Sequence, residues 1–171
     1  MAIPFDKHAL AIGACIFTTL AATSVSHAAP GHRGGKSDAH AAKPYGKPGD
    51  PSDVRNFVFL NAKGMKFSKE TIRIRRGQTV KFILRNKGDQ DHEMTIGDAA
   101  TQAAHRREMA EAQKKGKVGH HAHGHANAIY VKPGASKTLI WTFTKAGVFE
   151  FACNIPGHSE AGMKGKIVVT R

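Results

Sequence analysis

A chain of 171 residues with 26 Lys and Arg against 13 Asp and Glu, a formal net charge of +13, has room for one ordinary domain and excludes a string of several. The charge points to acidic partners or anionic surfaces. Nucleic acid is excluded as a partner, because no aromatic and basic pattern of the kind that stacks bases accompanies the charge.

Lys7 and His8 precede an uncharged run over residues 9–25, and Ser26-His27-Ala28 offers small residues at both specificity positions of a signal peptidase. Residues 1–28 are therefore read as a removed secretory signal, with the periplasm as destination. The weak lipoprotein-like box ending at Cys15 lies too close to Lys7 to follow a full apolar region. The same run falls short of the roughly 20 apolar residues of a membrane span, so the mature chain is expected not to cross one. Removal of Cys15 leaves Cys153 as the sole thiol of a protein sent to an oxidising compartment. Three explanations are open: an intermolecular disulfide, an inert core thiol, or capture as thiolate by a metal.

Residues 29–52 are rich in Gly, Pro, Lys, Ala and His, with Tyr45 the one large apolar group, and are expected to form a flexible tail. From Val54 the pattern becomes short alternating segments, and residues 53–171 are read as the folded domain. Val54, Val58 and Leu60 open it; Ile72 and Ile74 alternate with Arg73 and Arg75; Val80, Phe82 and Leu84 alternate with Lys81 and Arg85. Those four basic residues are expected to share one outer face. Residues 99–115 are dominated by Ala, Gln, Glu, Arg and Lys behind a capping Asp98, and predict a helix within an insertion over about 98–127. The insertion ends in a Gly-interrupted loop with His120, His121, His123 and His125, which either holds a metal ion through neutral imidazoles or is merely solvated. His105 and Met109, one helical turn apart, are candidates to join it, though as surface residues they carry little weight. Strands resume at residues 129–131, 138–144, 148–153 and 166–170, giving about seven and an all-β Greek-key sandwich.

The chemistry concentrates between the last two strands, where Cys153, His158 and Met163 place a thiol, an imidazole and a thioether in eleven residues. His92 follows the loop at residues 87–91, at a strand end that a Greek key can bring beside that connection. Two imidazoles and a thiolate in a near-trigonal plane, with a distant thioether, suit both Cu(I) and Cu(II). Met94, on the same strand face as His92, is read as core rather than as a competing thioether, and Met65 likewise.

The spacing C-x4-H-x4-M at Cys153, His158 and Met163, together with Met65-Lys66-Phe67, Gly77 and His92 upstream, resembles the cupredoxins, rusticyanin and azurin among them. The resemblance spans about residues 54–171. It implies one type 1 copper with His92, Cys153 and His158 equatorial and Met163 axial. No residues for an oxyanion site are seen and the length leaves no room for an oxidase's further domains, so no enzymatic turnover is expected, and a monomer is expected. It also implies a periplasmic redox or copper-trafficking partner. Many cupredoxins place Asn or Ser after the first histidine, whereas Glu93 stands here. With the His-rich insertion, that pairing is more similar to periplasmic cupredoxins of copper tolerance than to respiratory electron carriers.

Overall fold

In a computed structural model describing residues 43–118 and 124–171, the period-two alternation resolves into ten strands and one α-helix. In chain order these are β1 (Gly46–Pro48), β2 (Val54–Lys63), β3 (Lys66–Phe67), β4 (Thr71–Arg75), β5 (Thr79–Asn86), β6 (His92–Gly97), α1 (Ala99–Lys114), β7 (Ala128–Val131), β8 (Ser136–Phe143), β9 (Gly147–Ala152) and β10 (Lys164–Thr170). They form two five-stranded sheets, ordered β1-β8-β5-β2-β3 and β4-β10-β9-β6-β7. Pairing is antiparallel except for β2 with β5 and β4 with β10. Each sheet turns its alternate side chains inward. Val58, Leu60, Phe82, Leu84, Trp141 and Phe143 of the first layer thus meet Met94, Ile96, Phe151 and Ile167 of the second in one core.

Three expectations need correction. Residues 43–52 are not tail: β1 pairs with β8, placing Gly46 opposite Phe143, and Tyr45 is fully buried against Trp141 and Phe149. A three-residue strand in Gly-Lys-Pro gives no alternation to read, so one aromatic anchor was the sole signal. Residues 1–42, including the expected signal and most of the expected tail, lie outside the described residues, as do His120, His121 and His123. Nor do the four basic residues share a face. Arg73 and Arg75 lie on β4 of one sheet and Lys81 and Arg85 on β5 of the other, so they point outward from opposite layers. Alternation reports which way a side chain faces, not which sheet carries it.

Every residue of β6 is buried. His92, Met94 and Ile96 face the sandwich interior, Met94 as core residue, while Glu93, Thr95 and Gly97 face the opposite way, beneath α1. Asp98 caps that helix by accepting from the Thr101 amide at 2.8 Å, and the buried face of the helix is Gln102, His105, Met109 and Ala112. Their spacing of three and four is that of one helix stripe. His105 and Met109 are therefore interior, against expectation; a stripe that is half polar escapes a hydrophobic search. Helix and strand approach closely at Gly97, where an added Cβ would sit 2.7 Å from the Thr101 side chain. Gly97→Ala is accordingly expected to cost about 1–3 kcal/mol by overpacking, read as a lower Tm; an unchanged Tm would show that the helix can lift freely.

Candidate metal centre

His92 opens β6 opposite Val131 of β7, and the loop before it is pinned by Asn86. The Asn86 amide donates to the Gln90 and Val131 carbonyls at 2.6 and 3.0 Å, and its oxygen accepts from the Gly88 N–H at 2.9 Å. Asp91 is fixed in turn by the hydroxyl of Tyr130, which donates to its carboxylate; burial and then that bond raise the phenol above its ordinary pKa.

The other three residues lie on the connection from β9 to β10, which is folded back on itself by its own backbone. Cys153 N–H donates to the Met163 carbonyl at 3.0 Å, Met163 N–H to the His158 carbonyl at 3.0 Å, and His158 N–H to the Ile155 carbonyl at 2.9 Å. Gly157 and Gly162, each immediately before one of these side chains, adopt φ of 90° and 97°. That left-handed conformation is strained for any residue with a Cβ, so the glycines set how His158 and Met163 leave the loop.

The two segments converge. One ligand atom from each of His92, Cys153 and His158 lies within 4.8 Å of the others, the two imidazole rings are 5.2 Å apart between centroids, and Cys153 Sγ is 3.3 Å from His158 Nδ1. His92, Cys153 and Met163 are 0% exposed and His158 8%, so one imidazole edge alone reaches solvent. Both ring nitrogens of His92 are buried without a hydrogen-bond partner. An orphaned imidazole beside a thiol and a second imidazole is a costly arrangement unless an ion completes it. The donor set fits copper, since thiolate and thioether are soft ligands and imidazole suits the same metal.

Protonation follows from burial. Desolvation first, and the Glu93 charge second, push the Cys153 thiol up to about 12, so binding a metal must expel a proton. Desolvation lowers the pKa of His92 and of His158, leaving both as neutral donors. In the metal-free fold these shifts act at opposite ends of the pH scale. The histidine contribution to stability is present above the ordinary value of 6.5 and lost as pH falls through the lower folded values. The thiol contribution is present below 9.0 and lost as pH rises toward about 12. The Tm of metal-free protein is expected to peak between these limits and to fall measurably by pH 5 and by pH 10.5; a Tm flat over that range would contradict the assigned burial.

A second cluster lies beside α1. His105, Glu108 and His125 also bring ligand atoms within 4.8 Å of one another, with His105 Nδ1 3.2 Å and His125 Nε2 3.1 Å from the Glu108 carboxylate. Burial disfavours the His105 cation, but Glu93 and Glu108 outweigh it and raise its pKa, whereas burial and the His105 charge lower that of His125. Of the four loop histidines, His125 alone is among the described residues. Glu108 went unread in the sequence, although a His-x-x-Glu spacing on a predicted helix places the two side chains together.

Comparison with known proteins finds copper-binding relatives. The family described as copper binding proteins, plastocyanin/azurin family, matches residues 57–170. The chain is 40% identical over 159 residues to the copper-resistant cuproprotein CopI of Rubrivivax gelatinosus, covering 91% of this chain and 93% of that protein. It is 37% identical over 156 residues to the protein of the same name in Pseudomonas aeruginosa, covering 78% and 86%. Among solved structures, dithionite-reduced auracyanin from Roseiflexus castenholzii superposes with a TM-score of 0.57 at 23% identity, over 69% of this chain and 99% of that one. At that identity the likeness speaks for the fold.

Proposed function

Since this chain belongs to the plastocyanin/azurin family of copper-binding proteins, we propose that it is an exported copper-handling protein. In this reading His92, Cys153 and His158 would hold one copper ion, with the Met163 thioether as a fourth donor. The observation that carries it is the convergence of His92, which has both ring nitrogens orphaned, with Cys153 and His158 inside 4.8 Å. Bound there, copper would supply one-electron chemistry between Cu(I) and Cu(II). The chain's own part is to keep both imidazoles neutral, release the Cys153 proton and hold the loop so that little moves when the charge changes.

Copper tolerance as the physiological task is supported by the relatives named copper-resistant. Export to the periplasm rests on residues 1–28, and the net charge of +13 suits an acidic partner. A deletion strain should lose growth under copper challenge and regain it with the wild-type gene but not with Cys153→Ala. Unchanged growth of the deletion strain refutes the tolerance role.

The slight exposure of His158 favours a second reading, a mobile electron carrier that exchanges electrons through that edge. Fast, reversible reduction by a periplasmic cytochrome distinguishes it from copper transfer to an acceptor without electron transfer. Neither role includes substrate turnover. A second, weaker copper would find donors at His105, Glu108 and His125; His120, His121 and His123 lie outside the described residues. Metal stoichiometry above one that falls when these histidines are replaced checks it.

A further inference from the structure

Helix α1 reaches the metal centre without placing a ligand in it. Asn154, the residue after Cys153, has three of its polar atoms occupied. Its N–H donates to Glu93 Oε1 at 2.8 Å, its side-chain amide to Gln102 Oε1 at 2.7 Å, and its side-chain oxygen accepts from Arg106 Nη1 at 3.4 Å. Glu93 is completely buried, and His105 Nε2 lies 3.2 Å from both of its oxygens. The Glu93 N–H approaches Cys153 Sγ at 3.4 Å. Gln102 is itself anchored, donating to the Thr95 carbonyl at 2.8 Å and the Glu150 carbonyl at 3.2 Å. Two successive turns of the inserted helix therefore converge on one peptide unit, the one that carries the thiol.

We infer that α1 is a clasp for the copper centre and that His105 and Gln102 are positioning residues, acting through Glu93 and Asn154 on the Cys153 sulfur. This rests on the copper reading above and adds to it a role for the insertion that does not depend on the insertion binding metal. The physical case is desolvation. In a buried, low-dielectric site each of these hydrogen bonds is strong and each unmade one costly, so the network has one satisfied arrangement. A peptide fixed at its N–H and its neighbouring side chain cannot rotate, and the Cα–Cβ bond of Cys153 leaves it in one direction. Outer partners of metal ligands characteristically act this way, and their loss costs about 10–100-fold in metal affinity.

The test uses full-length mature protein loaded with copper and three variants. His105→Leu keeps bulk and removes the bond to Glu93; His105→Gln keeps a donor near the place of Nε2; Gln102→Met keeps length and helix propensity and frees Asn154. Copper affinity is followed through the sulfur-to-copper absorption under chelator competition, so an ion held elsewhere does not register. The ratio of the two visible bands and the copper hyperfine splitting are read alongside. Wild type must first show that absorption with one copper; if it does not, the copper centre itself is wrong, a failure distinct from that of the clasp. His105→Leu should lose about tenfold in affinity and shift the band ratio, Gln102→Met should shift it in the same direction, and His105→Gln should recover most of the wild-type signature. Wild-type spectra and affinity in folded His105→Leu and Gln102→Met overturn the clasp, as does a His105→Gln variant as impaired as His105→Leu. Should His105→Leu not fold, an unaltered centre in Gln102→Met overturns it alone.

Discussion

Cys153→Ser is expected to abolish the visible absorption of the copper-loaded protein and to reduce copper affinity by more than the 100-fold or so that an outer-partner change can cause. The substitution is nearly isosteric, and the space around it is polar enough to receive a hydroxyl: the Glu93 N–H and His158 Nδ1 lie 3.4 and 3.3 Å from the sulfur. The metal-free fold should therefore lose only about 1 kcal/mol, and an unaltered fold separates lost ligation from lost structure. What disappears is the soft anion. A serine hydroxyl neither selects Cu(I) nor gives up its proton as a thiol does on binding, and the remaining imidazoles and thioether cannot replace that charge. A coloured one-to-one copper complex in this variant would sink the assignment and move the metal elsewhere, the His105, Glu108 and His125 group being the next place to look.

Much of that site was legible because three of its members are close in sequence. Cys153, His158 and Met163 sit on one loop whose length is fixed by the strands at either end, and their spacing alone suggests soft-metal chemistry. His92 was legible with help from the fold, since a Greek key returns its strand end to the same place, and β6 does so next to β9. The clasp was not legible. Its members are spread from Glu93 to Asn154, on a strand, a helix and a loop, and no periodicity links Gln102 and Arg106 to Asn154. One hint was present: an acidic residue beside the first histidine, directed toward an interior, requires a partner. His105 was available as that partner but was weighed as a surface residue, because polar side chains on a helix are ordinarily solvated. The division of the basic residues between layers was hidden for a related reason, that alternation determines facing direction and leaves strand order open.

Glu93→Ala is expected to destabilise the metal-free protein by about 3–5 kcal/mol, roughly a 10–20 °C fall in Tm for a domain of this size. Removing the carboxylate strands a buried imidazole whose charged form Glu93 had favoured and leaves the Asn154 N–H without its acceptor. The larger consequence comes from the double replacement Glu93→Met with His105→Leu. Two apolar side chains of similar bulk avoid the desolvation of a buried acid and imidazole, and exchanges of this kind are often neutral or stabilising by about 1–4 kcal/mol, so the Tm should return toward that of wild type. The copper centre should not recover with it, because the Asn154 N–H still has nothing to hold it in place. Stability restored with a shifted visible spectrum would show that the buried acid and histidine are kept for where they hold the thiolate. A double variant that regained both the Tm and the wild-type spectrum would show instead that the ligand loop sets its own geometry.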